Sequence, residues 1–258
     1  MKRSNYTVGL IMLTFFVISF LTNITGPLIP DIIKGFNLSL TLVALLPFAF
    51  FIAYGVMSVP SGMLLEKYNE KKMMTAAFSV AFFGSLLLAL SPNYLSAVLS
   101  LFLIGCGMAI LQVVINPLLR TAGGEEHYAF NSILAQLIFG LASFVSPLVY
   151  SGMVFKLQVE EQSGGLFGLL GRFTPDNLPW ISLYWLFAVI SLVMIAVILA
   201  SRFPKVELSQ DEKAGAFQTY ITLFKKRVVI LYFIALFCYV GAEQGVAIGQ
   251  GQRRQTVG

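Results

Sequence analysis

Carboxamide side chains recur inside otherwise apolar segments of this chain, at Asn23, Gln112, Asn116, Asn131 and Gln136. Gln112 and Asn116 are four residues apart, so both lie on one face of a helix. A carboxamide is costly in hydrocarbon unless it is paired or meets water, so these side chains should point into a helix bundle. There they either line a polar cavity or bond to neighbouring helices. Because an amide donates and accepts hydrogen bonds at once, a cavity of this kind suits a polyol ligand.

One acidic residue, Glu243, lies inside a predicted membrane segment. An ionisable residue in such a position is a functional hypothesis by default, and Glu243 is therefore a candidate for ion coupling. The alternative is a position near a membrane face, because the apolar run around Glu243 is short.

The sequence contains few residues that could act as catalytic groups of an enzyme. The single histidine, His127, lies in a loop beside Glu125 and Glu126, where a histidine is usually solvated. An intramembrane serine protease needs a serine and a base within the bundle, and no apolar segment contains a histidine. No cysteine or histidine cluster has metal-ligand spacing, and no phosphate-binding glycine loop occurs. The sequence therefore predicts a protein that is not an enzyme and that holds no metal or cofactor.

The composition is that of a protein whose solvent is lipid. Of 258 residues, 57% are hydrophobic and only 11% are charged, whereas soluble domains carry about 25% charged residues. Mean hydropathy is +0.83. The net charge of +5 comes from basic residues between apolar runs, so it indicates membrane topology rather than nucleic-acid binding.

Apolar runs and breaks predict an all-α membrane protein with six transmembrane helices and the start of a seventh. A membrane-spanning helix takes roughly 20 residues. Charged residues and the turn at Ser91-Pro92-Asn93 separate the runs. The predicted spans are residues 8–21, a part of 35–65, and 73–90, 94–118, 129–154, 181–200 and 228–246.

These spans predict four regions: a six-helix domain at 1–200, a linker at 201–227, the start of the seventh span at 228–247, and a polar tail at 248–258. The tail departs from the apolar pattern, which indicates a frameshift or a partial gene. In the linker, Phe217, Tyr220, Ile221 and Phe224 form one apolar helix face. This face either lies on the membrane surface or packs on the bundle.

Two similar strings, at residues 26–29 and 116–119, follow the polar ends of the first and fourth spans. Both contain a proline in second position. A repeat of this kind is typical of a three-plus-three inverted repeat, with the first and fourth spans as counterparts.

The distribution of basic residues predicts the orientation. With the N-terminus in the cytoplasm, twelve of the 17 lysines and arginines lie in cytoplasmic segments and three in external loops. This bias follows the positive-inside rule. We therefore expect a multi-pass protein of the bacterial inner membrane with a cytoplasmic N-terminus.

The short loop between the second and third spans resembles the loop motif of the major facilitator superfamily, G-x-L-x-D-R-x-G-R-K/R-x. The residues that match the motif in type are Gly62, Leu64, Glu66, Lys67 and Lys71. Asn69 and Glu70 depart from it. The resemblance implies a conformational latch in which an acid and a base hold the loop against neighbouring helix ends.

Further segments, at residues 48–62, 112–117, 134–136 and 237–243, are similar to the fucose permease and glucose/galactose transporter group of that superfamily. The similarity implies a secondary active sugar transporter that works by alternating access. It covers the first half of a twelve-helix protein, so the implied partner is a C-terminal six-helix half. The resemblance carries a sugar-binding asparagine and glutamine onto Asn23 and Gln136. With Gln112 and Asn116 from the amide pattern, these four are the predicted residues of the sugar site.

The acids of the fucose permease are missing from this sequence. They fall on Gly26 in the first span and on Gln112 in the fourth. Proton coupling by the same route is therefore not expected; the coupling ion would be sodium, or a proton at Glu243, or coupling would be absent. The alternative to a transporter is a six-helix membrane scaffold that does not transport.

Overall fold

The computed structural model describes residues 5–159, 173–175, 177–204, 222, 225–235, 238, 239 and 242. The chain divides into two units, Met1–Lys213 and Ala214–Gly258. The described residues of the first unit contain six helical segments that are long and apolar enough to cross a membrane, of between 21 and 32 residues each. The predicted fold class, an all-α membrane protein, is confirmed.

Seven α-helices build these six segments. They are α1 (Asn5–Asn23), α2 (Thr25–Phe36), α3 (Leu40–Lys67), α4 (Glu70–Leu90), α5 (Tyr94–Gly123), α6 (Tyr128–Val159) and α7 (Ser182–Ala200). Helices α1 and α2 together form the first span, and α3 to α7 form the second to the sixth. Short 3-10 turns at Glu125–His127 and Pro179–Ile181 precede α6 and α7.

Local sequence explains where these helices begin. The side chains of Ser39, Asn69 and Asn93 accept hydrogen bonds from backbone N–H groups in the first turns of α3, α4 and α5, as N-cap residues do. Asn69 is one of the two departures from the superfamily loop motif, and here it has a structural role as the cap of α4. The other departure, Glu70, is buried at the start of α4, where the helix dipole favours a negative charge.

Helix α5 is longer than the sequence predicts. It continues past Pro117 to Gly123 and stops at Gly124, which has a positive φ of 82°. Proline removes one backbone donor from a helix, yet the turn after Pro117 is kept. Thr121 Oγ1 donates to the Pro117 carbonyl, and Gly124 N–H donates to the Arg120 carbonyl.

The packing of the helices has part of the symmetry that an inverted repeat predicts. Helix α5 packs against α3 and α4, helix α4 packs against α7, and α1 packs against α6. An inverted repeat makes the first span equivalent to the fourth, the second to the fifth and the third to the sixth. Under this equivalence the α3–α5 pair corresponds to the α6–α1 pair, and the α4–α7 pair corresponds to itself. The α4–α5 pair breaks this symmetry, because its counterpart, α1 with α7, is not among the packed pairs of described helices.

Two serines join α1 to α6 in reciprocal fashion. Ser19 Oγ of α1 donates to the Phe139 carbonyl of α6 over 2.6 Å. Ser146 Oγ of α6 donates to the Phe20 carbonyl of α1 over 3.1 Å. Both serines are fully buried. Each helix thus supplies one hydroxyl to the backbone of the other.

In the second unit, residues 227–235 are helical, which agrees with the start of the predicted seventh span. Glu243 lies outside the described residues. The four residues of the linker face, Phe217, Tyr220, Ile221 and Phe224, lie outside them as well. The coupling role of Glu243 stays a prediction.

Candidate functional site

Asn116 is an exposed polar residue in the middle of an apolar helix. Between residues 100 and 123 of α5 it is the only exposed residue, and the window around it is strongly apolar. Its Nδ2 atom donates to the Gln112 carbonyl over 3.0 Å. The side chain of Gln112 is half-buried on the same face. No described hydrogen bond reaches the amide oxygen of Asn116.

Asn23 lies at the end of α1 and is half-buried. Its Nδ2 atom donates to the Ser19 carbonyl over 2.9 Å and to Ser19 Oγ over 3.1 Å. Ser19 in turn donates to the Phe139 carbonyl in α6. Gln136, the fourth predicted residue, is exposed on α6 about one helical turn before Phe139. Asn23 and Gln136 thus belong to one packed helix pair, on opposite sides of the Ser19–Phe139 contact.

The predicted residues therefore form two groups. Gln112 and Asn116 share a face of α5, and Asn23 and Gln136 lie on the packed pair α1 and α6. Helices α1 and α5 also pack on each other. Asn131 differs from these four, because it is almost fully buried and its Nδ2 atom lies where a side chain at Gly123 would stand. Asn131 belongs to a packed contact between helices rather than to an open face.

The first span also contains a carboxylate, Asp31, which the sequence analysis did not include among the candidate site residues. Asp31 lies in α2 and is half-buried. Its Oδ2 atom accepts a hydrogen bond from the hydroxyl of Tyr150, a buried residue of α6. Charged residues served to mark span ends in the sequence, and Asp31 was therefore placed at a boundary. A tyrosine 119 positions away gives no sequence signal that could correct this.

The superfamily loop motif is placed at the end of α3 and the start of α4. Leu64, Glu66 and Lys67 are exposed, and Gly62 is half-buried. Lys71 Nζ donates to the carbonyls of Leu199 and Ser201, over 2.7 and 2.9 Å. These carbonyls end α7, where the helix dipole favours a cation. The latch function of the motif stays a prediction, but Lys71 has a partner of the kind that such a function needs.

Replacing Lys71 with methionine should lower the free energy of unfolding by about 1 kcal/mol. Hydrogen bonds from a charged donor contribute roughly 1.5–3 kcal/mol, and partial exposure of Lys71 reduces this value. The matched control is Lys72→Met, since the neighbouring lysine side chain is exposed. Thermal unfolding in detergent micelles measures both variants. Equal stability of the two would show that the bonds to α7 contribute nothing.

Comparison with known proteins identifies the family. The model of the major facilitator superfamily matches residues 11–249, which is most of the chain. The chain belongs to the major facilitator superfamily. Because the members of this superfamily are transporters and not enzymes, the prediction that the chain is not an enzyme is confirmed.

Curated relatives are similar to nearly the whole chain. A glucose/galactose transporter of Brucella abortus (strain 9-941) is 28% identical over 250 residues, which are 95% of this chain and 58% of the relative. The L-fucose-proton symporter of Escherichia coli K12 is 25% identical over 244 residues, 89% of this chain and 55% of the relative. The resemblance to this transporter group is therefore confirmed. The chain spans between half and two thirds of the length of these relatives.

Solved structures share the fold. The Escherichia coli fucose:proton symporter matches with a TM-score of 0.65 and 24% identity, over 92% of this chain and 59% of that one. A structure of a major facilitator transporter in the outward conformation matches with a TM-score of 0.68 and 23% identity, over 93% and 60%. At these identities the likeness supports the fold alone.

Proposed function

We propose that this chain supplies the N-terminal six-helix half of a secondary active sugar transporter for hexose- or fucose-like substrates. Asn23, Gln112, Asn116 and Gln136 would line the sugar site in the intact protein. Transport would proceed by alternating access, in which two halves rock about a central site. Family membership and relatives described as sugar transporters support this function.

The observation that carries the proposal is the exposure of Asn116. An unpaired amide in hydrocarbon costs free energy, and every neighbour of Asn116 along this part of α5 is half-buried or buried. A polar ligand or a water-filled cavity next to Asn116 removes that cost. A sugar hydroxyl can donate to the free amide oxygen and accept from an amide N–H.

The partner half would cover helices that this unit leaves open. Helices α3 and α6 are the least buried spans of the first unit. Phe48 and Ile52 of α3 and Leu137 and Phe144 of α6 are exposed apolar residues. Lipid or a second six-helix half can cover such surfaces. We place the protein in the bacterial inner membrane with its N-terminus in the cytoplasm, on the distribution of its basic residues.

Direct binding to the purified chain in detergent micelles tests the proposal. Isothermal titration with L-fucose, D-galactose and D-glucose should give saturable heat for at least one sugar. L-glucose is the matched control, because it has the same hydroxyl groups in mirror-image arrangement. If none of the sugars binds, the alternative of a six-helix scaffold without transport is favoured.

A further inference from the structure

Thr22 of α1 and Tyr54 of α3 place two hydroxyl groups near the middle of the membrane. Tyr54 is the central residue of the second span, Thr41–Lys67. Thr22 lies about two residues from the centre of the first span, Asn5–Phe36, which is roughly 3 Å along a helix. The Tyr54 hydroxyl faces the Thr22 hydroxyl from the other helix. Because secondary transporters bind their substrates near this depth, the pair stands at the level of a substrate site.

The Thr22 hydroxyl lacks the hydrogen bond that helical threonines commonly make. A threonine hydroxyl in a helix can donate to the carbonyl four residues before it, as Thr14 does to Leu10 in the same helix over 2.9 Å. Thr22 Oγ1 is shielded from solvent, and no described group forms a well-aligned hydrogen bond with it. An unpaired hydroxyl in an apolar bundle costs free energy, so this oxygen needs a partner that the described residues do not supply.

The burial of the pair distinguishes it from other unpaired hydroxyls in the described part of the bundle. Ser100 of α5 and Ser191 of α7 also have hydroxyl oxygens without a partner. Both serines are completely buried, so they belong to the packed interior. Thr22 and Tyr54 are only half-buried. The pair therefore lies at the margin of the helix bundle, where a ligand can reach it.

Packing holds the ring of Tyr54 and leaves its hydroxyl without a close partner. The ring centroid lies 5.3 Å from that of Phe50, and the backbone of Phe50 lies at the close contact between α3 and Gly105 of α5. The described hydrogen bond at Tyr54 reaches its backbone carbonyl, which accepts from Ser58 Oγ. The phenol is thus carried on a well-packed ring, as a group that recognises a ligand must be.

The pair adjoins a residue already predicted for the sugar site. Thr22 precedes Asn23, the last residue of α1, and the chain leaves the helix at Ile24 before α2 begins. Broken helices near the midplane contribute to the substrate sites of secondary transporters. Tyr54 extends the polar surface at this break from α1 onto α3.

We propose that Tyr54 is a specificity-determining residue of the sugar site and that Thr22 positions its hydroxyl. The inference rests on the proposed function and adds a phenol on α3 to the four predicted amides. A phenol hydroxyl donates one hydrogen bond and accepts another, and its ring offers an apolar face to the C–H groups of a sugar. A sugar hydroxyl bound to Tyr54 gives the pair the partner that the described residues do not supply.

Removal of the phenol hydroxyl alone tests the role of Tyr54. Isothermal titration of the full chain in detergent micelles with L-fucose, D-galactose and D-glucose should show binding about tenfold weaker in Tyr54→Phe. Thermal stability should not change, because the ring stays in place. Tyr94→Phe is the matched control: its hydroxyl donates to the Leu42 carbonyl at the start of α5, so its loss should leave sugar binding unchanged.

Monodeoxy derivatives of the same sugars identify the hydroxyl that Tyr54 contacts. For one derivative, Tyr54→Phe should cost no further affinity, as in a double-mutant cycle, whereas the loss should remain for the others. Thr22→Val should weaken binding and Thr22→Ser should restore it. Thr14→Val, which removes a hydroxyl bonded within its own helix, should have no effect.

The outcomes separate this inference from the proposed function. If the wild-type chain binds a sugar and Tyr54→Phe binds it equally well, the specificity role is overturned and the proposed function stands. An equal loss for every monodeoxy derivative also overturns it, because a direct contact must be lost with one sugar hydroxyl. A loss in Thr22→Val that Thr22→Ser does not restore overturns the positioning role. If the wild-type chain binds none of the sugars, the proposed function is contradicted and this inference falls with it.

Discussion

Replacing Gly105 with alanine is expected to lower the thermal stability of the protein, and replacing Gly140 with alanine to raise it. A Cβ atom at Gly105 would lie 2.6 Å from the Phe50 carbonyl oxygen and 3.0 Å from Ala53 Cβ, so α3 and α5 would have to separate. Overpacking of this kind costs roughly 1–3 kcal/mol, and it outweighs the gain in helix propensity of about 1 kcal/mol.

Gly140 is the matched control because it lies in the middle of α6 with nothing within 4 Å of an added Cβ. Thermal unfolding of both variants in the same detergent gives the comparison. Gly107→Ala should behave like Gly105→Ala, since its Cβ would lie 2.6 Å from the Ala77 carbonyl oxygen in α4. Small residues let membrane helices approach closely. A gain of stability at Gly105 would show that α3 and α5 are not held by this close contact.

Replacing Asn116 with leucine should weaken sugar binding roughly tenfold to a hundredfold while leaving stability equal or higher. A loss of this size is about 1.4–2.7 kcal/mol, which is the cost of leaving roughly one buried hydrogen-bond partner unpaired. Stability should not fall, because the amide bonds only to the Gln112 carbonyl in its own helix and leucine is a better helix former. Titration calorimetry and thermal unfolding measure the two effects.

Asn5→Leu is the control for this experiment, since Asn5 is an exposed amide at the start of α1. It should leave sugar binding unchanged. Gln136→Leu on α6 should also weaken binding. If Asn116→Leu binds the sugar as tightly as the wild-type chain, Asn116 does not belong to the sugar site.

Much of the helical architecture could be predicted from hydropathy and a few turn residues. The break at Ser91-Pro92-Asn93 is a real boundary, because Asn93 caps α5. The end of α5 was predicted too early, at residue 118. Proline and asparagine are turn formers only on average, and the missing donor of Pro117 affects the turn before it, so the helix continues after Pro117 until Gly124.

The candidate site was harder to predict, since sequence does not fix the rotation of a helix against its neighbours. Asn131 and Gln136 lie on one helix, yet Asn131 is buried against Gly123 and Gln136 is exposed. Periodicity puts residues five apart about 140° apart around a helix, but it does not show which of the two faces the neighbouring helices, because apolar residues surround both. The environment of Asp31 could not be predicted for a similar reason. Its hydrogen-bond partner, Tyr150, lies on a helix more than a hundred residues away in the sequence.

The crossed serine bonds between α1 and α6 set how these helices can move. Sliding one helix along the other would break the Ser19–Phe139 and Ser146–Phe20 bonds together. Inside a bilayer no water is present to replace a broken bond, so each serine hydroxyl would have to turn to a carbonyl of its own helix. The two bonds therefore oppose sliding of α1 along α6 in either direction. A rotation that moves both helices together as one rigid body breaks neither bond. Of the motions open to this unit, rigid rotation of α1 with α6 is the one that the crossed bonds permit.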